Sequence, residues 1–256
     1  MTDLFILIKK ELTEQWRTKK ILIMIIVFLF VAISSPIFAK LTPELLKGLS
    51  VQGMKIELPT PTYLDALDQI IKNISQIALL VLVFVVAGAV SDEKNKKTLE
   101  ILLTKPISRT NFILSKFFSN YISLGLVFIS SMILFYLYTI SLFKTFSLAN
   151  FVIMSAVVLL YIFMIISITI LASTIVKSSI ASGAVGFVSF IVFGTVFGMI
   201  DVIKRFSPNL IFSDYKGVIA NGYIQELNEP IIIILLVTTA SIILAVNLFN
   251  RQEIER

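Results

Sequence analysis

The chain has 256 residues, 57% of them hydrophobic, and a formal net charge of +6; its mean hydropathy is +0.95. A soluble domain of this length is less apolar, so the composition points to a membrane protein, and the basic excess is explained by membrane topology without nucleic acid. Cysteine and histidine are both absent, which excludes thiol nucleophiles, disulfides, zinc sites built from His or Cys, and a histidine-dependent catalytic triad.

In chain order, residues 2–20 read as an amphipathic interfacial helix. Leu4, Ile8, Leu12 and Trp16 recur every four residues, with Lys9, Lys10, Glu11, Glu14 and Arg17 on other faces. Trp16, the only tryptophan, suits a headgroup-level anchor. Six apolar runs follow, near Ile21–Phe38, Ile74–Val90, Phe117–Tyr138, Phe151–Val176, Ile180–Ile200 and Ile231–Phe249, each long enough for a membrane helix. A long charged stretch precedes the first and no A-x-A-like site follows it, so it reads as a span rather than a cleavable signal. The expected fold is an all-α integral membrane protein of six transmembrane helices, forming one membrane domain over residues 1–256.

The connections differ in character. Residues 40–73 form an extracytoplasmic segment punctuated by Pro59 and Pro61. Within it, Thr62 and Asp65 are spaced to cap a helix that begins at Tyr63 and runs into the second span. Residues 91–116 form a charged cytoplasmic segment, Phe146–Asn150 a short outer turn, and Val176–Ser179 a tight inner turn. Residues 201–230 form a second extracytoplasmic segment in which Phe206, Leu210, Ile211, Phe212, Val218 and Ile219 mix with polar residues. This arrangement leaves fourteen of the 22 basic residues on inner segments and eight on outer ones, which predicts both termini in the cytoplasm. In the fifth span Ser182, Gly186, Gly194 and Gly198 share one four-residue repeat. Such a stripe allows close helix approach, either within the chain or at a homodimer seam.

Several chemistries are missing. No G-x-x-x-x-G-K-[ST] sequence occurs, so the chain does not hydrolyse ATP in the usual way. None of the six spans contains Asp or Glu, which argues against an intramembrane aspartyl protease or a proton relay. Energy must come from elsewhere, or transport must be passive.

The most informative stretch is Ser91–Lys116, which holds six basic residues. Inside it Leu99, Leu102 and Leu103 stand at i, i+3 and i+4 and form an apolar ridge, ended by Pro106. An apolar ridge embedded in charge at a membrane surface has little purpose unless something docks on it.

This segment resembles the signature of type-2 ABC exporter permeases, the ABC-2 type transporter membrane subunits. They carry an acidic residue, Gly-Thr-Leu-Glu, Leu-Leu, Pro-Ile/Val-Ser-Arg, and a Lys at the start of the third span. The chain matches at Glu93, Thr98, Leu99, Glu100, Leu102, Leu103, Pro106, Ser108, Arg109 and Lys116, and departs at Lys97, where the family usually has Gly. The layout also matches, and is closest to small permeases of the nitrous-oxide-reductase maturation type. The resemblance implies a short cytoplasmic coupling helix between spans two and three, seated in a separate ABC ATPase subunit. It also implies two ATPases and two permeases per transporter, the second permease being an identical copy or a paralogue. ATP and magnesium would sit on the ATPase, with no cofactor in this chain. The implied location is the bacterial plasma membrane and the implied function is ATP-driven export. Its cargo would be an amphipathic peptide, antibiotic or lipid-like molecule. An immunity or scaffold protein that binds a peptide without moving it, a passive channel and an ion-coupled carrier are the alternatives.

Overall fold

The computed structural model describes residues 2–48, 60–96, 108–143, 146–193, 197–200, 204–222 and 227–252, and among these every regular element is helical. The principal helices are α1 (Thr2–Arg17), α2 (Lys20–Gly48), α3 (Tyr63–Asn73), α4 (Leu79–Ala87), α5 (Ser91–Asn95), α6 (Arg109–Leu142) and α7 (Leu148–Ile175). They are followed by α8 (Ser179–Ile191), α9 (Leu210–Ser213), α10 (Tyr215–Asn221) and α11 (Asn228–Arg251).

Among the described residues, five helical stretches are long and apolar enough to cross a membrane: Lys20–Leu45, Tyr63–Asn95, Arg109–Leu142, Leu148–Ile175 and Asn228–Arg251. The run expected as a fifth span over Ile180–Ile200 begins as the 13-residue helix α8. At 1.5 Å per residue that is about 20 Å, short of the roughly 30 Å hydrocarbon core. Its continuation falls partly on residues outside the described set. The boundary of the first helix also moves: α2 continues to Gly48, through Pro36 and Pro43, so the segment expected over 40–73 begins as helix.

Helix α3 starts where its capping residues place it. Asp65 accepts from the Thr62 N–H at 2.7 Å and from the Thr62 hydroxyl at 3.0 Å. Its apolar face, Ala66, Leu67, Ile70 and Ile71, is buried, and α3 packs against α2. A single π-helical turn at Ile74–Ala78 then joins α3 to α4. Asn73, at the mouth of that turn, donates to Ser35 of α2 at 3.0 Å. A polar side chain near membrane depth thus finds a partner on a neighbouring helix, as the absence of water there requires.

Helix α7 is the central strut. It packs against α4, α6, α8, α10 and α11, and Tyr161, Ile162, Met164, Ile165 and Ile166 are wholly buried. A helix that is apolar all round has to be surrounded by helices or lipid. At the end of α7 near its N-terminus, Tyr63, Tyr136, Phe146 and Phe151 form an aromatic cluster with centroid separations of 5.0–5.8 Å. Helices α9 and α10 fold back onto this strut. The Phe212 ring meets the Tyr161 ring edge-on at 4.8 Å, and Asn150 donates to the Ile219 carbonyl at 2.9 Å. Tyr215 and Lys216 both reach Asp68 of α3, the lysine at 2.8 Å. The segment over 201–230 is therefore docked structure wherever it is described.

Candidate functional site

The end of the bundle opposite the aromatic cluster gathers α1, α5, the start of α6, the end of α7, the start of α8 and the end of α11. Between α5 and α6 runs the segment singled out by its sequence. Thr98, Leu99, Glu100, Leu102, Leu103 and Pro106 lie outside the described residues. Both of the segment's flanks are described, and each is fastened to several other helices.

The upstream flank starts at a turn after α4. The backbone N–H groups of Val90 and Ser91 both donate to the Ser173 hydroxyl of α7 at 3.0 Å. These are among the amides that a helix N-terminus leaves without an internal partner, so α5 is capped from outside its own strand of sequence. Asp92 folds back over Gly88, where an added Cβ would lie 2.0 Å from the Asp92 carboxylate and would displace it. From there Asp92 accepts from Ser179 of α8 and lies 3.9 Å from Lys20 of α2. Lys94 donates to the Thr174 carbonyl, and Asn95 to the Lys177 carbonyl at 2.7 Å.

The downstream flank is held as firmly. Ser108 caps α6 by accepting from the Asn111 N–H at 3.1 Å. Arg109 donates to the carbonyls of Asn250 and Gln252, at 3.2 and 2.9 Å, at the C-terminal end of α11. A cation there meets both the orphan carbonyls and the negative end of the helix dipole. Gln252 in turn donates to the Thr174 carbonyl at 2.9 Å. Lys94 of one flank and Gln252, tied to the other, thus share one carbonyl of α7.

A buried charge cluster joins the two flanks. Lys116 of α6, only 2% exposed, donates to Glu11 of α1 at 2.7 Å and to Glu93 of α5. Lys10 of α1 donates to Glu93 at 2.8 Å and to Glu11 at 2.9 Å. Two cations and two carboxylates therefore alternate, which offsets the desolvation cost that each charge would carry alone. Burial by itself would lower the Lys10 pKa, but the adjacent carboxylates of Glu11 and Glu93 outweigh it and raise it. The carboxylates of Glu11, Glu14 and Glu93 come within 4.8 Å of one another, a spacing that could admit a metal ion. Their charge is met instead by the ammonium groups of Lys10 and Lys116. Beside the cluster, a polar cavity of about 30 Å³ touches Gln15, Asn120 and Lys20.

The sequence singled out Glu93, Ser108, Arg109 and Lys116, and the structure brings Glu93 to Lys116, with Ser108 and Arg109 beginning the same helix as Lys116. It gave no role to Glu11, Lys10, Asp92 or Ser173. The signal for Glu11 was available: a lysine opening an apolar run needs an acid partner, and Glu11 stands four residues from both Leu7 and Gln15. The packed face of α1 is in fact Leu7, Glu11 and Gln15, all buried. Leu4, Ile8 and Leu12 are half-buried along its edge, and Trp16 is 64% exposed. The expected stripe thus runs along the edge of the packed face, and only Trp16 is turned outward.

Of the small residues in α8, Ser182 is fully buried, and an added Cβ on Gly186 would lie 2.3 Å from Thr169 Oγ1 of α7 and 2.9 Å from Val83 Cγ1 of α4. These two positions serve packing within the chain. Gly194 lies outside the described residues, and Gly198 falls in a short helical turn at Phe197–Met199.

Comparison with known proteins accords with this architecture. Over 188 residues the chain is 25% identical to the "Uncharacterized transmembrane protein YxlG" of Bacillus subtilis (strain 168), a match covering 73% of each protein. The family described as ABC-2 family transporter protein matches residues 5–254. A helical bundle with five apolar membrane-length helices among its described residues, matched by that family over nearly its whole length, belongs to the ABC-2 transporter family, whose members are membrane subunits of ABC transporters and not themselves catalytic enzymes.

Proposed function

We propose that this chain is the permease of an ATP-driven exporter in the bacterial plasma membrane, with both termini in the cytoplasm. α8 and its continuation complete a sixth crossing. Residues 91–116 form the coupling segment, with Leu99, Leu102 and Leu103 inserted into a separate ABC ATPase that holds ATP and magnesium. Two permeases and two ATPases make the transporter, and the path for cargo runs between the permeases.

The observation that carries this reading is the double fastening of the coupling element. A loop that transmits force must be attached at both ends to the helices it moves. Its upstream end is tied to α1, α7 and α8 through Glu93, Ser173, Asp92 and Asn95. Its downstream end is tied to α1 and α11 through Lys116 and Arg109. A plain solvated connector has no need of such anchorage. An apolar groove of about 560 Å³ between α6 and α7, lined by Phe128, Met132, Tyr136, Phe151, Val152 and Leu159 among others, supports a cargo with a hydrophobic portion.

The test is co-purification with the ATPase, together with export assays, on Leu102→Ser/Leu103→Ser and on Glu100→Lys. Each leucine contributes about 1–3 kcal/mol of buried contact. The double variant should therefore lose the ATPase or uncouple transport while its membrane level is unchanged. The charge reversal should impair coupling. Retention of the ATPase and of full transport by both variants would leave the segment a connector, and favour a scaffold or immunity role.

A further inference from the structure

The packing of α1 and of the corner that leads into α2 sorts the cations between residues 9 and 20 into two groups. Lys10 is drawn into the buried cluster, and Lys20, the first residue of α2, into the cavity beside Asp92. Lys9, Arg17 and Lys19 remain exposed, and among the described residues none of them pairs with a carboxylate. Because Leu7, Glu11 and Gln15 face the bundle, the opposite side of α1 presents Phe5, 73% exposed, and Trp16, 64% exposed. Lys9 lies on the same side of the helix as these two rings and between them along its axis. Aromatic rings with that exposure belong at the headgroup level of a bilayer, with the cations beside them reaching phosphate.

Two further observations point to an anion. Lys19, at the corner between α1 and α2, has φ 60°, a left-handed conformation normally given to Gly or Asn at a helix end. A lysine held there places an exposed charge at a position where any Cβ is unfavourable. In addition, a shallow depression of about 460 Å³ is lined by Ile6, Lys9, Lys10, Thr13, Glu14 and Arg17. Its one carboxylate, Glu14, lies 3.2 Å from Lys10, which leaves Lys9 and Arg17 as uncompensated charges on its wall.

We propose that the exposed side of α1 is a binding surface for anionic phospholipid. Lys9, Arg17 and Lys19 engage the headgroup phosphates, and Phe5 and Trp16 are immersed beside them. Three cations at a bilayer surface select anionic over zwitterionic lipid by charge complementarity, in a manner weakened by salt. The surface tethers α1, and with it Glu11 and the charge cluster, to the lipid composition of the membrane. The proposal does not depend on the presence of an ATPase.

Trp16 is the only tryptophan, so its fluorescence reports on this surface alone. The purified full chain is placed in phosphatidylcholine vesicles containing equal mole fractions of either brominated phosphatidylglycerol or brominated phosphatidylcholine, and quenching is compared. The anionic quencher should associate about fivefold more strongly, and K9Q/R17Q/K19Q should bring the two to parity. High salt should shrink the preference in the unaltered chain, a measurement that holds even if the triple variant folds poorly. Equal quenching by both lipids in the unaltered chain would overturn the proposal, as would a preference that survives the triple substitution. If the variant keeps the lipid preference but sheds a co-expressed ATPase, the cations serve a protein partner and the lipid assignment is wrong.

Discussion

Lys116 donates to Glu11 across 2.7 Å although 105 residues separate them, and the pair is shut away from water with Glu93 and Lys10 beside it. Breaking such a pair by removing one partner leaves an uncompensated buried charge, at a cost of about 3–5 kcal/mol. Lys116→Met should therefore lower thermal stability sharply, read as loss of the monodisperse peak after heating in detergent. Lys116→Met/Glu11→Met should recover most of that loss, because Lys10 and Glu93 remain as a balanced pair. A single variant as stable as the parent would show that the cluster contributes little.

The same cluster predicts an alkaline limit. With its folded pKa raised by Glu11 and Glu93, Lys10 contributes stability that is fully present below its unfolded pKa. That contribution is lost as pH rises through the folded value. Melting temperature attributable to Lys10, taken as the difference from Lys10→Met, should be flat from about pH 6 to pH 9. A decline within that range would mean that Lys10 is not held by the two carboxylates.

Two glycines should respond in opposite directions. Gly186→Ala drives a methyl group into Thr169, and small-to-large changes of this kind cost about 1–3 kcal/mol. Gly217, within α10, has nothing within 4 Å of an added Cβ, and alanine there should be neutral or stabilise by about 0.5–1 kcal/mol. Thermal unfolding of the two variants in one detergent makes the comparison.

Asp68 is the acceptor that fastens α10 to α3, through Tyr215 and Lys216. Asp68→Ala should loosen the outer segment. Because the chain has no cysteine, a single Val218→Cys, at a position 2% exposed, reports the change as maleimide labelling rate. Labelling should be several-fold faster with Asp68→Ala than without it, and an unchanged rate would mean the segment is held by its apolar contacts alone.

Reporter fusions at Arg256 and within residues 50–59 should score inside and outside respectively. The opposite pattern would reverse the orientation and remove the coupling segment from the side where an ATPase works.

Much of the fold was legible in the sequence because membrane helices are written in long apolar runs. The Thr62–Asp65 cap was legible because capping is local chemistry within four residues. The rotation of α1 was not, because burying Glu11 contradicts its hydrophobic pattern and makes sense only once Lys116 is beside it. Arg109 was visible as part of a motif, but its contact with the carbonyls of Asn250 and Gln252 is a long-range contact that no local pattern encodes.

That last contact has a consequence for biogenesis. Helix α11 is made after every other described helix, and until it arrives Arg109 has no carbonyls to hold and Thr174 lacks the Gln252 side chain. The first helix supplies Glu11 and the last supplies the Arg109 seat, so the flanks of the central segment are completed only when synthesis has passed residue 252. A chain stalled or truncated before that point would carry the segment's full sequence on an unfinished mount, and would be distinguishable from the mature protein by anything that binds there.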